Sequence, residues 1–204
     1  MAWPSGKAEA CKAFTPSSNL GATFFSLASR LLLYLVATPI GNLQDFSVRA
    51  LETLKRCDYI LAEDTRHSLK LLQHYEIQKP LISFHQHNEQ GREDKILQDL
   101  RNGQEIALIS DAGTPLISDP GFLLVKACRE QALPVTAIPG ASSVLVALSL
   151  SGLEPTPFQF IGFLPRKTGE LTACLEELLD YPGTTICFES PERLTDCLKT
   201  LCEL

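Results

Sequence analysis

From Leu31 onward the chain alternates between short, wholly apolar runs and longer segments whose apolar residues recur every three or four positions. That alternation predicts buried strands followed by one-sided helices. Leu31–Ala37 predicts a first strand, running through the Pro39/Gly41 turn into a helix near Ser47–Arg56. Ser47 is its expected cap, and Val48, Leu51 and Leu54 mark its expected inner face. Tyr59–Ala62 predicts a second strand, followed by a helix that aligns Leu69, Leu72 and Tyr75. A third strand, Leu81–Phe84, precedes a helix over Glu89–Asn102 that turns Ile96, Leu97 and Leu100 inward and stops at Gly103. The fourth strand, Ile106–Ile109, leads through a long loop to a helix over Phe122–Ala132. The fifth, Val135–Ile138, turns at Pro139-Gly140 into a helix over Ala141–Ser151. Such alternation predicts an α/β fold, a mostly parallel sheet with helices on both faces.

Gly152–Pro157 reads as a linker. Beyond it come strand Phe158–Leu164, loop Pro165–Gly169, helix Leu171–Leu179, strand Thr184–Phe188 and helix Glu192–Leu201. The expected organisation is a leader over 1–30, an N-terminal α/β domain over 31–152, and the start of a C-terminal α/β domain over 153–204. Two strands rarely make a stable sheet alone, so the second domain is expected to be truncated.

Four of the first five strands end in polar clusters: Thr38–Asn42, Glu63–Arg66, His85–Asn88 and Ser110–Asp119. In a parallel sheet these ends share one rim, where open α/β sheets bind ligands. The segment Ser110–Gly121 is twelve residues long, whereas connections of this kind usually take about 2–6. Its glycines permit close backbone approach, its prolines fix the path, and Asp111 and Asp119 offer acceptors. It reads as a ligand loop. Glu63-Asp64-Thr65-Arg66 serves equally well as a helix entry capped by Asp64 or Thr65, or as a general base with a substrate anchor. His85 and His87 suit hydrogen-bonded rim positions, and no further ligands are spaced to make them a metal site. Pro139–Ser143 places small residues at a helix start, where backbone donors could form a pocket floor. Arg166 and Lys167 are either a solvated loop tip or a phosphate contact.

Composition narrows the classes. An apolar fraction of 45% suits a globular chain. The formal charge is −6, and residues 1–30 carry +2 (Lys7, Lys12 and Arg30 against Glu9), which leaves −8 for the remainder. Any polyanionic partner must therefore meet a local basic patch rather than a basic surface. The seven cysteines form no C-x-x-C pair and most lie in apolar segments, as in a reducing cytosol. No metal and no membrane association are expected. Residues 1–30 read as a poorly ordered leader, upstream of a start site near Leu31. No G-x-G-x-x-G follows the first strand and no G-x-x-x-x-G-K-[ST] occurs, so nicotinamide-dinucleotide and P-loop chemistry lose their main support.

Taken together, Leu35–Leu43, Ala62–Arg66, His85–Asn88, Ser110–Gly121, Pro139–Ser142, Gly162–Lys167 and Glu189–Leu194 resemble the tetrapyrrole methylase superfamily of S-adenosylmethionine-dependent methyltransferases. Within it they are similar to the bacterial 16S rRNA (cytidine-2′-O)-methyltransferases. The resemblance implies two α/β domains with S-adenosyl-L-methionine between them, often in a homodimer. It implies a cytoplasmic enzyme acting on a decoding-centre cytidine of 16S rRNA in the small ribosomal subunit. Cofactor contacts would come from Pro39, Asp111, Gly113, Thr114, Ser118, Asp119, Ala141 and Ser142. Catalysis would draw on Glu63, Asp64, Arg66 and His87, with Glu63 or Asp64 as base. Substrate would meet Asn42, Asn88, Arg166 and Lys167. Two alternatives remain open: a small-molecule, tetrapyrrole-type methylase, and a truncated, non-catalytic fragment of the rRNA enzyme.

Overall fold

The computed structural model describes residues 32–204, so the expected leader and the start near Leu31 lie outside the described residues. Five strands, β1 (Leu32–Val36), β2 (Tyr59–Ala62), β3 (Leu81–Ser83), β4 (Glu105–Ile109) and β5 (Val135–Ile138), form one parallel sheet in the order β3-β2-β4-β1-β5. Helices α1 (Val48–Arg56), α2 (Thr65–His74), α3 (Glu89–Arg101) and α4 (Phe122–Glu130) make the crossovers, and α5 (Ser143–Ser151) follows β5.

Alternation along each strand sorts the core into two layers. Tyr34, Val36, Ile60, Ala62, Ala107 and Ile109 pack on one face with Ala50 and Leu54 of α1 and Leu72 of α2. Leu33, Tyr59, Leu61, Ile106 and Leu108 pack on the other with residues of α3 and α4. Each such Leu or Ile, fully buried, contributes roughly 1.5–3 kcal/mol. Two expected inner positions lie outside instead. Val48 is 72% exposed and Leu69 is 47% exposed. The inner face of α1 runs through Ala50, Thr53 and Leu54, and that of α2 through Ser68 and Leu72. Small and hydroxyl side chains let both helices sit close to the sheet, and that rotation carries Val48 and Leu69 outward.

The crossover from β1 passes over β4 to reach β2, with α1 in the first layer. The crossover from β4 passes over β1 to reach β5, with α4 in the second. The loops leaving β1 and β4 therefore part to opposite faces, which makes a topological switch point between adjacent strands. The amino ends of the same strands are tied for stability. There Arg56 donates to Glu105 Oε2 at 2.9 Å and to the Tyr34 hydroxyl at 2.6 Å.

Beyond residues 152–157, β6 (Phe158–Phe163) and β7 (Thr184–Phe188) form a separate parallel pair, with α6 (Thr168–Leu179) and α7 (Pro191–Glu203). Its core is Leu164, Leu171, Leu175 and Cys197. Arg193 of α7 donates to Pro165 O at 2.5 Å and pairs with Glu189 at 3.2 Å, fixing the exit of β6.

Gly121 begins α4 at φ +121°, and a Cβ there would lie 2.5 Å from Leu108 Cδ2. Gly121→Ala is expected to lower stability by about 2 kcal/mol, from backbone strain and overpacking together. A urea midpoint equal to that of the parent would show that the loop shifts without cost.

Candidate functional site

Parallel strands deliver their following loops to one edge, and hydrogen bonds draw four of those loops together here. Thr38 and Gly113 form an isolated antiparallel bridge, Thr38 N to Gly113 O at 2.8 Å and Gly113 N to Thr38 O at 3.1 Å. The Thr38 hydroxyl donates to Ser110 O at 3.1 Å, and the Ser110 hydroxyl donates to Gly113 O at 3.1 Å. The Thr114 hydroxyl donates to Ala141 O at 3.1 Å, which adds the β5 exit. Asp64 N donates to Asp111 Oδ1 at 3.2 Å, which adds the β2 exit. Gly140 has no room for a side chain, since its Cβ would lie 2.8 Å from that of Ala37.

The Ser110–Gly121 loop is strained as well as stitched. Leu116 and Ser118 adopt positive φ, +73° and +66°. Such geometry costs a non-glycine residue about 1–2 kcal/mol. Ser118 also marks where the second sheet comes near, because a Cβ on Gly162 of β6 would lie 3.4 Å from its hydroxyl oxygen.

Carboxylates concentrate at this rim. Burial pushes the Asp119 carboxyl up to about 6, with the negative charges of Glu63 and Asp111 adding to it and the Ser110 hydroxyl opposing. Glu63 is likewise raised, chiefly by burial and then by Asp111, with His85 opposing. Asp64 goes the other way. It caps α2 by accepting from Arg66 N at 2.8 Å and pairs with the Arg66 guanidinium at 2.8 Å, which together hold its carboxyl well below the usual range. Two adjacent acids that look alike in sequence thus have opposite characters. One holds a proton more readily than a free carboxylate, and the other is committed to a helix end.

The remaining expected site residues divide between the rim and local structure. Pro39 is buried beside the Thr38 bridge, and the Ala141 carbonyl and Ser142 lie at the start of α5. His87 is exposed, with its ring 5.9 Å from that of His85. Asn42 caps a 3-10 turn over Leu43–Asp45 by accepting from Gln44 N at 3.0 Å. The Asn88 side chain closes its own loop, accepting from His85 N at 2.9 Å and donating to Ser83 O at 3.2 Å. Arg166 is exposed on the loop after β6, and Lys167 pairs with Glu170 at 2.8 Å. Among the described residues no three His, Cys, Asp or Glu are placed to hold a metal ion. No described helix is long and apolar enough to cross a membrane.

Sequence reasoning missed Glu89. It is buried, and its Oε1 accepts from Leu124 N at 3.1 Å in the first turn of α4. A carboxylate suits that position, since the first amides of a helix lack intrahelical partners. The bond ties the β3 exit to the far end of the Ser110–Gly121 loop. The only local signal is an acid at a helix start, and nothing nearby in sequence names its partner.

Comparison with known proteins agrees with this geometry. The family model for tetrapyrrole (corrin/porphyrin) methylases matches residues 32–204. The chain is 51% identical over 170 residues to ribosomal RNA small subunit methyltransferase I of Haemophilus influenzae, covering 83% of this chain and 60% of that protein. It is 52% identical over 173 residues to the protein of the same name from Synechocystis, covering 85% and 61%. The chain thus spans about 60% of the length of the curated relatives it matches. Among solved structures, a cobalt precorrin-4 methyltransferase superposes with TM-score 0.63 at 17% identity, covering 86% of this chain and 75% of that one. Diphthine synthase superposes with TM-score 0.61 at 13% identity, covering 84% and 70%. At such identities these structures speak for the fold alone.

Two predictions follow from the electrostatics and the Glu89 link. Asp119 is raised from 3.8 to about 6 on folding, so the folded state binds its proton more tightly than the unfolded state does. Its contribution to stability is therefore most favourable below about pH 4 and is lost as pH rises through about 6. Asp119→Asn should flatten the pH dependence of the urea midpoint across that window and raise stability at pH 7. Glu89→Ala leaves the buried Leu124 amide unpaired and should cost roughly 1–3 kcal/mol, whereas Glu89→Gln, which keeps an acceptor, should cost less. Equal midpoints for the two variants would remove the hydrogen bond from the account.

Proposed function

The chain belongs to the tetrapyrrole (corrin/porphyrin) methylase family, and from that premise we propose that it methylates a cytidine 2′-hydroxyl of 16S rRNA in the small ribosomal subunit, using S-adenosyl-L-methionine. Identity of about 50% to relatives named ribosomal RNA small subunit methyltransferase I favours this substrate over a tetrapyrrole. The observation that carries the chemistry is the rim itself. A half-buried carboxylate with a raised proton affinity, Glu63, lies beside Asp111 and Asp119 where four strand exits meet.

The site fits the donor. When bound, S-adenosylmethionine supplies a methyl group on a positively charged sulfur. Asp111 and Asp119 meet a cationic ligand with negative charge, and a cation there offsets the burial and the neighbouring negative charges that raise Asp119. Pro39, Gly113, Thr114, Ser118, Ala141 and Ser142 form the surrounding wall, with Gly113 letting the backbone approach closely. A ribose hydroxyl is a poor nucleophile, and Glu63 is the group placed to accept its proton. His87 stands at the edge of the same rim. Asp64 acts through position, orienting Arg66, whose guanidinium is 90% exposed and suited to a phosphate. Asn42 and Asn88 act by holding their loops, and Arg166 and Lys167 offer a second anionic contact from the far side. In this reading residues 31–152 carry the acceptor chemistry and residues from 153 onward cover the donor.

The proposal extends to a homodimer in the cytoplasm. Edge strand β5 leaves Ala137 exposed, and α5 exposes Leu145, Val146 and Leu150, the last at 81%. An apolar edge of this kind suits burial against another surface.

The test is transfer of labelled methyl groups to small ribosomal subunits that lack the modification. Glu63→Gln should lower turnover by about 10²–10³-fold, with affinity for S-adenosylmethionine within about twofold of the parent. Methylation of a tetrapyrrole but not of subunits would overturn the substrate, and unchanged turnover in Glu63→Gln would overturn the base.

A further inference from the structure

Helix α2 carries Arg66, His67, Lys70 and His74 and no carboxylate, in a chain whose formal charge is −6. His67, Lys70 and His74 recur at helical spacing on one exposed face, away from buried Ser68 and Leu72. Among the described residues neither His67 nor Lys70 has an ion-pair partner. A cavity of about 450 Å³ opens beside that face. Its apolar wall is Pro39, Leu43 and Leu71, His67 and Lys70 form its basic side, and Asp111 belongs to it too. Asp111 accepts from the Asp64 amide, so the cavity is continuous with the carboxylate rim.

We propose that this cavity holds one nucleotide of a single-stranded RNA segment, with its base against Leu43 and Leu71 and a flanking phosphate at Lys70 and His67. The inference rests on the rRNA reading above and assigns where that acceptor enters. The lining offers what a nucleotide needs: a basic side for the phosphate, apolar surface for the base, and the Asp111 carboxylate, which joins the cavity to the rim that carries Glu63. An unstacked base gains an apolar surface there, as in single-strand recognition generally. The basic stripe continues one helical turn past the cavity to His74. A strand, with further phosphates beyond the bound nucleotide, uses that extension and a free mononucleotide does not.

The experiment measures binding of a fluorescein-labelled, cytidine-containing RNA of about 12 nucleotides to the full chain by anisotropy, alongside calorimetry with S-adenosylmethionine. Lys70→Ala should weaken RNA binding about tenfold and reduce the slope of log Kd against log salt by about 0.7, while leaving affinity for S-adenosylmethionine unchanged. His67→Ala should act in the same direction. Lys95→Ala, on α3 across the sheet, should leave both affinities as in the parent. The substituted positions are exposed, and equal thermal midpoints confirm that the variants fold. If the parent binds RNA and methylates subunits but Lys70→Ala changes neither affinity nor slope, the acceptor lies elsewhere and only this inference falls. If Lys70→Ala weakens S-adenosylmethionine instead, the cavity belongs to the donor and the inference is overturned. A parent chain that neither binds the RNA nor methylates subunits overturns the rRNA reading and this inference with it.

Discussion

Two backbone hydrogen bonds between Thr38 and Gly113 close the gap that the sheet topology opens, and the rest of the rim is built on them. β1 and β4 are neighbours whose following helices lie on opposite faces, so their exits would otherwise diverge. The bridge holds them at 2.8 and 3.1 Å. The hydroxyls of Thr38, Ser110 and Thr114 then extend the connection to the β5 exit. Each bond contributes only about 1 kcal/mol net, but leaving any of these buried groups unpaired costs as much or more. The larger consequence is geometric. Asp111 is two residues from the bridge, so the carboxylate that receives the Asp64 amide is located by the same contact that closes the crevice.

The strain in Ser110–Gly121 is sustained from the core. Leu116 is held at positive φ, while Gly121 fits against both Leu108 of β4 and Leu116, with space for no side chain of its own. At the far end, Glu89 fixes the first turn of α4. The loop is thus clamped at its start by Thr38, at its end by Glu89, and from beneath by Leu108. A loop bound at three points can hold unfavourable dihedrals that a free one would relax. Its amides and carboxylates are in place before any ligand arrives, which reduces the ordering cost of binding.

Strand positions were legible because each apolar run is bounded by turn residues, and β2, β5 and β7 match their expected limits to the residue. Helix rotation was less legible. Val48 and Leu69 are apolar yet exposed, because small Ala50 and hydroxyl-bearing Thr53 and Ser68 take the places nearest the sheet. Strand order and the Glu89–Leu124 bond are long-range, and local periodicity carries no record of them. The parallel pattern alone put the polar exits of β1, β2 and β4 on one edge, but it did not include the β5 exit that Thr114 joins to them. What separated Glu63 from Asp64 was not legible either. Both acids follow the same strand, and only burial of one and the Arg66 contact of the other set their proton affinities apart. Sequence reading placed a basic patch at Arg166 and Lys167, and α2, with cations and no acid among its residues, is a second basic segment that net charge concealed.

That separation of charge bears directly on how one crevice could serve a cation and a polyanion together. Burial lifts Asp119 to about 6, and the negative charges of Glu63 and Asp111 add to it. A cationic ligand beside Asp111 and Asp119 is attracted most strongly once both are ionised, so its affinity should strengthen as pH rises through about 6. A phosphate among these acids would be repelled, which requires the acceptor's backbone to stay on the outer side of the rim. Helix α2 supplies that arrangement, because its cap Asp64 faces Asp111 while Lys70 and His74 project about two and three turns further along. Screening confines such effects to about 8 Å at physiological ionic strength. Within that distance the local sign of the charge outweighs the chain's net −6, and a polyanion can dock on an acidic protein by touching only its basic helix.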